Sequence, residues 1–279
     1  MESLALLFAP LHIAINRMNL ERGYGVGHPW HCRLDAVESH GSLGVEYRGE
    51  YELCFDDGST VAILHDLLGL LASDGVSPRL RSFAYSTDAA LAANGTYSIV
   101  IDPLLARGRR FPKLTRFALD QGEGEHGYKI LASALDGGDG FYDEAGALAK
   151  LLERGPGLRE LVTPSPPSPE FFLGDPHPLQ SLDVDAGFGH EDFIRHLSGC
   201  SRFPDLRRLA FTDYRQRYRK DWRERTTSFA DYESFFASGI SRRLESVALR
   251  EVNLTPDRVR RLLDVRSEGV GITRSEVAG

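Results

Sequence analysis

The chain has 279 residues, 42% hydrophobic and 26% charged, enough to bury a sizeable core in one elongated domain or two smaller ones. A formal net charge of −7 argues against wholesale nucleic-acid binding while leaving room for a local basic patch. Three scattered cysteines, Cys32, Cys54 and Cys200, make neither a disulfide framework nor a zinc motif, which points to free thiols in a reducing, cytoplasmic setting.

The opening "MESLALLFAPLHIAI" is apolar, but Glu2 stands where a signal peptide carries basic residues, so a buried first helix or strand is expected. No run reaches the ~18 apolar residues of a membrane span. "HPWHC" (28–32) gathers His28, His31 and Cys32, one ligand short of a zinc site. "YELCFDDGSTVAIL" alternates around Asp57-Gly58 as a β-hairpin, and "HDLLGLLASDG" reads as a short helix ending at Gly75. Residues 1–77 are therefore expected to form an N-terminal cap.

From there one pattern recurs. "LRSFAY" at 80, "LTRFAL" at 114, "LRELVT" at 158, "LQSLDV" at 179, "LRRLAF" at 206 and "LESVAL" at 244 are copies of L-x-x-L-x-L. Proline precedes several of them and keeps the chain extended into the strand. Helical segments follow: "EDFIRHLSG", "SFADYESFFASG" and "TPDRVRRLLDV", the last with Thr255 as N-cap and Pro256 at the first helical position. Glu191 and Asp192 read as first-turn acids favoured by the helix dipole. Strand, turn and helix repeated in this way cannot bury an apolar face alone and must stack.

The last copy, "LESVALREVNLTPDRVRRLL", resembles the longer leucine-rich repeats of ribonuclease-inhibitor-like and F-box-associated proteins, and the resemblance extends over about residues 78–266. It implies an α/β solenoid over 78–279, with a parallel concave sheet and helices and loops on the convex side. The copies are spaced 34, 44, 21, 27 and 38 residues apart, so insertions are expected after the first, second and fifth. The ninth position, where the family places Asn or Cys, holds Asp88, Gly122, Pro166, Gly187, Tyr214 and Val252, which makes the solenoid irregular. The prolines of "TPSPPSPEFF" (163–172) bar a helix and demand an extended return after the third copy.

Motifs for chemistry are weak. "GYGVG" lacks the spacing of a phosphate loop, "HEDFIRH" sets His190 and His196 on different helix faces, and the acids of "DGGDGFYDE" miss alternate calcium-ligand positions. There is no G-x-S-x-G. No catalysis, metal or cofactor is expected.

Strand alternation puts the third, fifth and seventh repeat positions on the open face. Asp120, Asp183 and Asp185, with Asp213 next along, form an expected acidic patch there, and Arg208 lies in the third-position row. The oversized connection "TDYRQRYRKDWRERTT" adds Tyr214, Arg217, Tyr218, Arg219, Trp222 and Arg223 at one edge, residue types enriched in protein hot spots and equally fit for phosphate contact and base stacking. The reading is a non-catalytic module that binds a protein partner with a basic face, for instance by neutralising a toxin or effector. An F-box-like substrate-recognition subunit, without a visible F-box, and a nucleic-acid binder using 214–225 are the alternatives.

Overall fold

Each of the six L-x-x-L-x-L copies is a strand in the computed structural model, which describes residues 4–28, 31–50, 53–87, 96–120, 128–132, 146–186, 189–214, 220, 222–266 and 268–274. In chain order, helix α1 (Leu4–Glu21) buries Phe8, Leu11, Ile15 and Met18 at helical spacing. Strands β1 (Arg33–Ser39) and β2 (Ser42–Arg48) form an antiparallel hairpin, closed by His40 and Gly41 at φ 50° and 68°, the two left-handed positions of a tight two-residue turn. The hairpin expected around Asp57-Gly58 is β3 (Leu53–Cys54) with β4 (Thr60–Val61). Helix α2 (Ile63–Leu71) ends before Gly75, with Ala72 as its cap.

The first copy is β5 (Leu80–Ser86). Its long connection contains β6 (Thr96–Val100) and the short α3 (Asp102–Leu105). The second copy is β7 (Arg116–Asp120), followed by β8 (Tyr128–Ala132), which pairs with β6 in a separate parallel ribbon, and α4 (Ala147–Arg154). Then come β9 (Glu160–Thr163), β10 (Ser181–Asp185), α5 (Phe193–Ser198), β11 (Arg208–Thr212), α6 (Phe229–Ala237), α7 (Gly239–Arg243), β12 (Ser246–Val252), α8 (Pro256–Val265) and β13 (Val270–Arg274). Thr255 caps α8, its hydroxyl accepting the Arg258 N–H, and Pro256 opens the helix. Glu191 and Asp192 are turn residues at φ 44° and 53° rather than first-turn helical acids, and α5 begins only at Phe193. Among the described residues no helix is long and apolar enough to cross a membrane.

Nine strands form one open sheet in the order β1-β2-β5-β7-β9-β10-β11-β12-β13, parallel throughout except for the β1–β2 hairpin. Neighbours in the sheet are neighbours in the repeat, so each copy docks on the one before it. The hairpin from the expected cap region joins the same sheet. Val45, Phe83, Phe117, Leu161, Leu182, Leu209 and Val247 stand side by side in register and are all buried. They face one core with the buried sides of the helices, for example Leu67 and Leu71, Leu148 and Leu152, and Phe235 and Phe236. The alternate strand residues face away from the helices.

The proline segment replaces a helix in this second layer. After an extended run, a single 3-10 turn (Pro169–Phe172) inserts Phe171 and Phe172 between α4 and α5. Phe171 lies 5.1 Å from Phe203 and Phe172 lies 5.8 Å from Phe193, which stacks at 5.0 Å on Phe211 of β11. Two buried polar side chains tie this joint together. Arg202 donates to the Phe171 carbonyl at 2.9 Å, and the His177 ring lies 3.3 Å from the Gly155 carbonyl.

Burial pushes the His177 pKa below its ordinary 6.5, and the nearby Arg202 charge acts the same way. A depressed histidine contributes stability above its unfolded value and loses it as pH falls through the range below 6.5. Urea midpoints taken from about pH 7.5 to about pH 5 are expected to fall on the acid side for the wild type, and to fall less for His177→Gln.

Candidate partner-binding face

Ser82, Arg116, Glu160, Ser181, Arg208 and Ser246 stand in one continuous row across six parallel strands. Ala84, Ala118, Val162, Asp183, Ala210 and Ala248 form the next row, and Asp185, Thr212 and Arg250 belong to the third. These are the third, fifth and seventh repeat positions, brought together as the alternation of the sequence requires. The β1–β2 hairpin prolongs the rows with Arg33 and Arg48, Asp35 and Glu46, and Val37 and Gly44.

The middle row is mostly alanine, and that determines how the charges meet. With Ala210 and Ala248 leaving a lane between strands, Arg250 of β12 reaches Asp183 of β10 at 3.5 Å. Arg116 meets Glu160 on the neighbouring strand at 2.9 Å, and the Arg208 Nε lies 3.5 Å from the Ser181 hydroxyl. The pairs are about half exposed, so each contributes at most about 1 kcal/mol. Their effect is on surface pattern: the face carries alternating charge, not the acidic field expected from Asp120, Asp183, Asp185 and Asp213. Asp183 and Asp185 are half-buried on it. Asp120 ends β7 opposite Ser86, and its side chain lies outside the described part.

Asp213 is not on this face. Strand β11 ends at Thr212, and Asp213 follows it with its N–H on the Arg250 carbonyl at 2.9 Å and its side chain at 0% exposure. One carboxylate oxygen accepts the Tyr214 N–H at 2.8 Å, the other accepts the Thr227 N–H at 3.1 Å and the Tyr232 hydroxyl at 2.9 Å. Burial raises its pKa despite these donors. Tyr214 is likewise fully buried and offers a partner nothing. Asp213 pins the two ends of the 214–227 connection, a role that a strand-alternation argument misses because alternation stops where the strand does.

Of the remaining predicted site, Arg217, Tyr218 and Arg219 lie outside the described residues. Trp222 is half-buried in a 3-10 turn (Trp222–Arg225) that also contains Arg223, whose side chain is outside the described part. The weaker motifs resolve into structure. The His28 ring stacks on Tyr24 at 4.7 Å, the His31 Nδ1 lies 2.8 Å from the Tyr24 carbonyl, and Cys32 is buried. His196 stacks on Phe172 at 5.5 Å, and the His190 Nδ1 accepts the Asp192 N–H at 3.1 Å. The acids Asp136, Asp139 and Asp143 lie outside the described residues. Among the described residues no group of three or more His, Cys, Asp or Glu is placed to hold a metal ion.

No protein-family model matches the chain, and no curated protein or solved structure matches it either.

Proposed function

We propose that the chain is an irregular leucine-rich-repeat solenoid and works as a non-catalytic module, holding a protein partner against the open sheet face and the turn at Trp222–Arg225. The observation that carries this reading is the in-register face itself: rows of side chains across six parallel strands, most of them partly exposed with Ala118 and Thr212 buried, on the side away from the helices. Stacked repeats commonly bind through such a surface, and a preformed face loses little ordering entropy on association. The alternating Arg116–Glu160 and Asp183–Arg250 pairs favour a partner of complementary, mixed charge. Trp222, half-buried in its turn, is of the residue type that anchors interfaces. Occlusion of a toxin or effector is a use that needs no chemistry from the module.

The test is capture of a stoichiometric partner followed by reconstitution from purified components. Affinity is expected to fall at least about tenfold in the Asp183→Arg/Asp185→Arg variant and in Trp222→Ala, with unfolding midpoints near wild type. Unchanged affinity in both variants sinks the assignment of this face. A partner that proves to be RNA or DNA, with binding that weakens steeply with salt, replaces it with the nucleic-acid reading.

A further inference from the structure

Helix α1 carries large apolar residues on two opposite sides. Phe8, Leu11, Ile15 and Met18 are buried, while Leu6, Ile13 and Leu20 stand 64%, 69% and 83% exposed. At about 100° per residue, the three exposed side chains fall within about 40° of one another, on the far side of the helix from the buried set. Among the described residues the other large exposed apolar side chains, Val26, Val37, Leu173 and Val265, come from four separate segments. The α1 line runs about 21 Å at a strict seven-residue spacing, the spacing a helix shows where it packs along a partner helix.

The line is bordered by apolar and small side chains. Ala9 and Pro10 flank it, and Ala5 and Asn16 are exposed beside it. The flanking charge, Arg17, is drawn off it: the guanidinium bonds Glu21 and Asp57, each at 2.7 Å, and lies 4.2 Å from the centre of the Phe55 ring. Symmetry decides what fits. Leu6 and Leu20 lie seven residues to either side of Ile13, so a second α1 running antiparallel sets Ile13 against Ile13 and Leu6 against Leu20 at both ends. In that arrangement Arg17 meets Ala9 of the other copy, whereas a parallel pair brings the two Arg17 side chains together. A membrane surface suits the line less well: the chain has a net charge of −7, the basic group beside the line is already paired with two carboxylates, and anionic lipid repels such a protein.

We infer that α1 is a homodimerisation surface, pairing antiparallel with α1 of a second copy across a two-fold axis at Ile13. A helix pair of this length buries about 1,000 to 1,200 Å² in total, the low end for specific interfaces, so the dimer is reversible, with a dissociation constant on the order of 10 µM. Helix α1 packs on α2 and β1 and buries its other side in the common core, so the pairing does not occupy the open sheet face and stands independently of it.

Sedimentation velocity of the full chain from about 1 to about 200 µM tests the surface. A monomer–dimer equilibrium is expected for the wild type, weakened about thirtyfold or more by Ile13→Glu and unchanged by Leu173→Glu, a comparably exposed apolar site elsewhere. Ile13 is exposed, so the variant is expected to keep the wild-type unfolding midpoint, and its loss reports association alone. Spin labels at Ala5→Cys, in a Cys54→Ser/Cys200→Ser background, are expected about 25 Å apart in the antiparallel dimer. A separation under about 15 Å, the mark of a parallel pair, overturns the arrangement. A wild type that stays monomeric at about 200 µM, or a dimer that Ile13→Glu leaves intact, overturns the surface. Flotation of the wild type with phosphatidylcholine–phosphatidylserine vesicles, lost in Ile13→Glu, also overturns it and assigns the line to a membrane.

Discussion

Asp213→Ala is expected to lower the unfolding free energy by about 3 to 4 kcal/mol, read as a drop in urea midpoint at unchanged slope. The variant strips the acceptor from the Tyr214 and Thr227 N–H groups and from the Tyr232 hydroxyl, all in a region closed to water. A buried donor left unsatisfied costs about 1 to 3 kcal/mol, and relief of a buried carboxylate offsets part of the sum. Asp213→Asn keeps an oxygen for the backbone donors and an N–H for the tyrosine oxygen, so it is expected to cost much less. pH separates the two effects. Because burial raises the Asp213 pKa above 3.8, its contribution to stability is complete below that value and is lost as pH rises through the raised folded value. The Asn variant is expected to lack this component, so its stability relative to wild type improves from acid to neutral pH.

Phe171→Ala is expected to cost about 3 to 5 kcal/mol. Phe171 is fully buried at the joint where a helix is missing, packed 5.1 Å from Phe203 and 5.4 Å from Phe172. Around it the backbone is held by prolines and by Arg202, whose guanidinium bonds the Phe171 carbonyl, so the walls have little freedom to close over the lost ring. Phe171→Leu, which keeps most of the volume, is expected to cost less than half as much. Equal midpoints for the two variants contradict this account, since the loss then does not scale with the space left behind.

What was legible in the sequence follows from where local pattern and tertiary structure agree. All six L-x-x-L-x-L copies are strands in the expected register, because Leu, Phe and Val at alternate positions leave only one face to bury. Thr255-Pro256 marked the start of α8 because capping is a short-range event. The β1–β2 hairpin went unread, although Leu34 and Ala36 alternate against Leu43, Val45 and Tyr47; its turn is His-Gly, a weaker signal than Asn-Gly. The acidic patch was overestimated for two reasons. The repeat register does not reach Asp213, which lies past the strand end, and nothing local announces that Arg250 reaches across β11 to meet Asp183.

The strand order has a consequence for how the chain is made. From β5 to β13, every strand of the main sheet pairs with the sheet strand synthesised before it, and none waits for a partner still to come. A nascent chain leaving a ribosome can therefore settle unit by unit, each new strand finding a finished edge. The hairpin of β1 and β2 is complete first and supplies the template. Errors in a late unit then leave the earlier ones intact, and a ribosome pausing in the long connections after β5, β7 and β11 leaves exposed a growing sheet edge in place of a collapsed intermediate.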